Sequence, residues 1–104
     1  MIFQRSIKNK VSAVGVGLHS GQKVRIVLKP AKENSGVIFK RTDIKVPIEI
    51  KVEPQAVKET RLSSTISKGK YKISTVEHLM SALSASGIDN ILIEVDGSEI
   101  PIMD

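Results

Sequence analysis

Apolar and polar positions alternate through the first two-thirds of the chain. In residues 23–29, Val24, Ile26 and Leu28 fall on one side of an extended segment, the period-2 pattern of a half-buried strand. Pro30 lacks a backbone donor and helps to end it. A turn cluster at residues 32–36 leads into a short strand at 37–41. Residues 46–52 alternate again, with Val46, Ile48, Ile50 and Val52 on one side, and Pro47 belongs near a strand start or on a sheet edge. Upstream, residues 11–17 read as a strand that reaches 24–29 through the turn Leu18-His19-Ser20-Gly21. Residues 54–58 suit a single helical turn with proline early in it. Residues 61–66 and 70–73 suit a hairpin around Lys68-Gly69.

One segment changes period. Ile73, Val76, Met80 and Leu83, joined by Leu79, form an apolar stripe of helical spacing. Ser74 or Thr75 is placed to cap its start. Gly87 is placed to take the left-handed position at its end, followed by Ile88. The helix then covers about 12 residues, or ~18 Å. A further strand follows at residues 90–96. These elements predict an α+β domain: a mixed, mainly antiparallel sheet with one long helix, and a short second helix at 54–58, packed on one face.

The helix is unusual on its far side. Opposite Val76 and Leu83 stand Ser74, His78, Ser81, Ala82 and Ala85, where a surface helix ordinarily carries Lys and Glu. Small side chains let another surface approach closely. Either a partner covers this face, or the helix is buried in a two-layer core.

Composition narrows the classes. The 104 residues make one domain, 1–104, without a second core. There is no cysteine, which removes disulfide scaffolds, Cys-based zinc fingers and thiol nucleophiles. No apolar run reaches the ~18 residues of a membrane span. Met1-Ile2-Phe3-Gln4-Arg5 has no apolar signal region, which points to the cytoplasm. The net charge of +5 permits a phosphate-bearing partner. Only Phe3, Phe39 and Tyr71 could stack on bases, so nucleic-acid binding is not expected.

Candidate chemistry centres on Glu77-His78. Ser74-Thr75-Val76-Glu77 matches a capping box, in which Glu77 would bond the cap amide. Alternatively, His78 suits a zinc ligand and Glu77, about 100° round the helix, a general base on metal-bound water. The glycine-rich Gly15-Val16-Gly17-Leu18-His19-Ser20-Gly21 lacks dinucleotide-fingerprint spacing and reads as a twisted hairpin. Ser63, Ser64 and Thr65 have no local base to activate them and read as a polar-out strand.

Three stretches taken together are specific. Gly15-Val16-Gly17-Leu18-His19-Ser20-Gly21, the run from Ser74-Thr75-Val76-Glu77-His78 to Leu83, and Gly87-Ile88-Asp89-Asn90 through Glu99-Ile100-Pro101-Ile102-Met103-Asp104 resemble the N-terminal domain of the UDP-3-O-acyl-N-acetylglucosamine deacetylase family. Gln4-Arg5 and Arg41-Thr42-Asp43 agree. The resemblance covers essentially the whole chain.

It implies half of a two-domain zinc enzyme of lipid A biosynthesis in Gram-negative bacteria, each half with a ribosomal protein S5 domain 2-like fold. The enzyme hydrolyses the acetamide of UDP-3-O-acyl-N-acetylglucosamine at the committed step. In this chain the resemblance implies His78 as a zinc ligand, Glu77 as general base, and Leu18, His19, Leu62 and Ser63 along the substrate. The Ser/Ala helix face would then meet the second domain. That domain, absent from this chain, would carry the remaining zinc ligands, a His and an Asp in an H-x-x-x-D motif, and the general-acid His. The expectation is an inactive fragment with an incomplete Zn2+ site that self-associates through its exposed interdomain face. The alternative is a non-catalytic interaction domain that uses the same face.

Overall fold

The computed structural model describes residues 4–17, 19–52, 57–59 and 64–101. Eight strands and one helix follow in the order β1 (Val11–Val16), β2 (Lys23–Pro30), β3 (Val37–Arg41), β4 (Ile48–Lys51), β5 (Val57–Glu59), β6 (Ser64–Lys68), β7 (Tyr71–Ser74), α1 (Glu77–Ala85) and β8 (Ile91–Val95). They form a five-stranded mixed sheet in the order β1-β2-β8-β3-β4 and a three-stranded antiparallel sheet β5-β6-β7. The α+β class with a mixed, mainly antiparallel sheet holds. Among the strand ladders of the described residues, β3–β8 is the parallel one, and an isolated Ser74–Glu99 bridge is parallel as well.

Alternation decides which face is buried. Leu28, Ile93, Phe39 and Ile50 lie in register across four strands. The neighbouring row runs Ala13, Ile26, Val95, Arg41 and Ile48. These residues face the interior, where Ile66 and Ile73 of the small sheet, Val76 just before the helix and Leu83 within it join one buried cluster. Arg41 ends its row half-buried; it grips Asp43 through two bonds of 2.6 and 3.1 Å and donates to the Lys72 carbonyl of β7. The opposite sheet face mixes charged residues with exposed valines such as Val14 and carries a 3.0 Å ion pair between Lys29 and Glu94.

The proline and hairpin readings hold, while Val46 and the helical turn at 54–58 need correction. Val46 lies outside β4 and is 75% exposed, because the pairing with β3 begins only at Ile48. Pro47 precedes β4, which is an edge strand, as a residue without a donor requires. Pro30 is the last residue of β2, opposite Ile91. The helical turn proposed for 54–58 is not one: Val57 and Lys58 belong to β5, paired with Ile66 and Thr65, and residues 54–56 lie outside the described residues. The β6–β7 hairpin turns at Gly69-Lys70, with Gly69 at φ +61°, as Lys68-Gly69 suggested.

The helix is shorter than its apolar stripe. Ile73 belongs to β7, and α1 spans nine residues. Its C-terminus closes as expected: Ile88 N–H donates to the Leu83 carbonyl at 3.0 Å and Gly87 N–H to that of Ser84 at 3.1 Å. Gly87 sits at φ +69°, the left-handed position of a Schellman motif. Ser81, Ala82 and Ala85 are exposed, so the helix is not enclosed in a two-layer core.

Candidate functional site

The start of α1 is organised by tertiary contacts and not by a local cap. Val76 is the N-cap residue, with no side-chain capping bond, and Glu77 is the first helical residue. A capping box would need Glu77 three positions after the cap, so that reading fails. Its two candidate caps are engaged elsewhere. Ser74 ends β7, and both its N–H and its hydroxyl donate to the Ser98 carbonyl, at 2.8 and 3.2 Å. Thr75 donates its hydroxyl to Glu99 Oε2 at 2.9 Å.

Glu99 is the centre of this arrangement, and reading the chain for catalytic residues missed it. The carboxylate is 3% exposed. It accepts the backbone N–H groups of His19 and Ser20 at 3.1 Å and the Thr75 hydroxyl. Burial favours its neutral form, but these donors and the Ser20 hydroxyl prevail and lower its pKa below the ordinary glutamate value. A signal for it was present: an acidic residue against the apolar Ile100-Pro101 is buried only when it is bonded. The segment that carries it is tied down on both sides. Asp96 accepts Arg25 N–H at 2.7 Å, and Ile100 N–H donates to the Ser74 carbonyl at 3.0 Å.

The glycine-rich turn closes onto the same carboxylate. Gly17 N–H donates to Gln22 and Gly21 N–H to Gly17, both at 2.9 Å. A side chain at position 17 would occupy the space held by Glu99 Oε1 and Ser20 Oγ. The His19 imidazole is partly exposed, its Nε2 3.9 Å from Glu99 Oε2. Through Glu99 the structure therefore joins the His19 turn to the residue two positions before Glu77. Glu77 is half-buried and His78 is exposed. Leu18, Leu62 and Ser63 lie outside the described residues, while Ser64 and Thr65 stand in β6.

Other motif residues prove to be scaffolding. Gln4 Oε1 accepts from Asn34 N–H at 2.7 Å and from Asn90 Nδ2 at 2.8 Å, and Asn90 Oδ1 accepts Gly36 N–H at 2.9 Å. Asp89 accepts Arg5 N–H at 2.8 Å. These bonds pin the first described residues across the entry to β3 and β8.

A catalytic zinc ordinarily takes three protein ligands and keeps one open position. No group of three or more His, Cys, Asp or Glu is gathered among the described residues. They do not make a zinc site on their own, although an exposed imidazole such as His78 fits a single ligand position. No helix among the described residues is long and apolar enough to cross a membrane.

Comparison with known proteins agrees with this geometry. Residues 4–104 match the family described as UDP-3-O-acyl N-acetylglycosamine deacetylase (LpxC). The UDP-3-O-acyl-N-acetylglucosamine deacetylase of Thioalkalivibrio sulfidiphilus is 52% identical over 104 residues, covering 100% of this chain and 34% of that protein. Those of Chromobacterium violaceum and Colwellia psychrerythraea are each 51% identical over 105 residues, with the same coverage. The chain thus spans about a third of the length of the curated relatives it matches. With the match running unbroken through the glycine-rich turn, the Glu77-His78 helix and the Glu99 segment, the chain belongs to the UDP-3-O-acyl-N-acetylglucosamine deacetylase family.

Proposed function

We propose that this chain is the N-terminal part of an enzyme that hydrolyses the acetamide of UDP-3-O-acyl-N-acetylglucosamine to the free amine and acetate, in the cytoplasmic assembly of lipid A. The observation that carries the proposal is the continuous family match over residues 4–104. In this reading Glu77 takes a proton from the attacking water. The water oxygen adds to the acetamide carbon, the C–N bond breaks, and the nitrogen leaves protonated. His78 supplies one zinc ligand, and the others come from a second domain. Bound zinc would polarise the carbonyl and lower the pKa of water toward about 7. Leu18, His19, Leu62 and Ser63 line the substrate. The exposed Ser81, Ala82 and Ala85 face of α1 is where the second domain approaches, since small side chains permit close packing.

The test is a chimera in which these 104 residues replace the matching third of the Thioalkalivibrio sulfidiphilus deacetylase. It should deacetylate the UDP-sugar in a coupled amine-release assay, and Glu77→Gln should abolish turnover in the folded protein. The 104-residue chain with added zinc should give none. A folded chimera without activity, or one in which Glu77→Gln retains full turnover, refutes the reading.

A further inference from the structure

We propose that Glu99 is a positioning residue: its carboxylate locks the His19-Ser20 turn and the Thr75 elbow into one unit, and so fixes where α1 presents Glu77 and His78. This rests on the reading above that the reaction takes place at the start of α1.

Glu99 is a buried charge that the proposed chemistry does not use. A buried carboxylate is tolerated only when its oxygens are bonded. Here the donors come from two segments far apart in sequence: His19 and Ser20 lie 80 and 79 positions away, and Thr75 lies 24 away. Both are the segments that carry the candidate site. Every hydrogen-bond partner of Glu99 named above donates, and a carboxylate only accepts. Glutamine would turn an NH2 group toward donors.

The elbow itself is strained. Thr75 adopts φ +62°, and only Asn34 among the other described non-glycine residues is also positive. A β-branched residue in the left-handed region is an outlier that its surroundings must impose. Thr75 sits between the last residue of β7 and the N-cap of α1, so its backbone sets the direction in which the helix departs. Its hydroxyl bond to Glu99 and its burial are what hold it there. On the other side, Gly17 leaves room for Glu99 Oε1 where a side chain would stand. The turn and the elbow are therefore joined through the one carboxylate.

The test uses the same chimera with Glu99→Gln and Thr75→Val; the latter keeps the β-branch and removes only the hydroxyl. Each should lower kcat about 10- to 100-fold, the effect of a small misplacement of reacting groups, while KM changes less than about threefold. Thr75→Ser, which restores the hydroxyl, should recover most of the loss relative to Thr75→Val. The double variant should be no more than about twofold worse than the weaker single, because the two residues act as one unit. Unchanged kcat per folded molecule, a rise in KM alone, or losses that multiply would overturn the inference. An active parent chimera that Glu77→Gln silences shows that the functional reading stands regardless. If the parent is inert, amide NMR of the 104-residue chain decides. Thr75→Val must then shift the Glu77 and His78 resonances together with those of His19 and Ser20; shifts confined to one segment overturn the coupling.

Discussion

Replacement of Phe39 by alanine tests whether the core that supports the site is one packed body. Phe39 is fully buried in β3, with Ile93 beside it on one neighbouring strand and Ile50 on the other, themselves 0% and 2% exposed. Truncating a buried phenylalanine costs about 3–5 kcal/mol, the lost transfer energy plus that of the cavity left behind. A domain of this size is stable by only about 5–15 kcal/mol. The substitution should therefore remove about a fifth of the total or more. With a urea m-value of about 1.5–2 kcal/mol per molar, the midpoint should fall by about 2 M. The thermal midpoint should drop by about 15–30 °C. Far-UV circular dichroism in a urea titration measures both midpoint and slope. Phe39→Leu, which removes less volume, should lose less than half as much. A Phe39→Ala loss below about 1 kcal/mol at unchanged slope would mean that Ile93, Phe39 and Ile50 do not form a close-packed row, and the fold argument would fail with it.

The remaining predictions concern the site and its supports. Glu99 has a folded pKa below its unfolded value, so the unfolded chain binds the proton first as pH falls. The stability it contributes is complete above the ordinary glutamate pKa and is lost as pH drops through the folded one. Urea midpoints at pH 6 and pH 3 should converge in Glu99→Gln relative to the parent, and parallel pH profiles would contradict the assignment. Gly87→Ala should cost about 1 kcal/mol, because φ is +69° there while the nearest outside atom, on Arg5, is 3.9 Å from the added carbon; an unchanged melting temperature would count against it. The chimera described above should retain zinc through dialysis and lose it on His78→Ala but not on Glu77→Gln, measured by elemental analysis. Zinc retained at one equivalent by the His78 variant would remove that residue from the ligand set.

Local pattern was informative where local forces decide. The alternation at Val24, Ile26 and Leu28 and at Ile48 and Ile50 predicted strand and buried face together, and residues 37–41 and 90–96 were legible as strands. Gly87-Ile88 announced the helix end because a Schellman closure is built from neighbouring residues. The helix start was misread for the opposite reason. Ser74 and Thr75 have the chemistry of caps, but Ser98 and Glu99, 24 positions away, claim their hydroxyls. The alternation through Val46 outran the partner strand, which only tertiary pairing could reveal. The candidate site was legible as residue types, Glu77 beside His78 on a helix with a bare outer face. The carboxylate that ties that helix to the His19 turn acts across the fold, and spacing alone cannot express it.

The strand order has a kinetic consequence. β8 is the last strand among the described residues, yet it stands between β2 and β3, and those two have no ladder with each other. Until it inserts, β1–β2 and β3–β4 are separate hairpins with open inner edges, prone to pairing with other molecules. Its parallel partner β3 lies about 50 residues upstream, and a loop of that length closes slowly. On a ribosome, then, the two hairpins wait as independent pieces. Because Glu99 follows β8 by only four residues, the His19 turn gains its anchor in the same late event that seals the sheet.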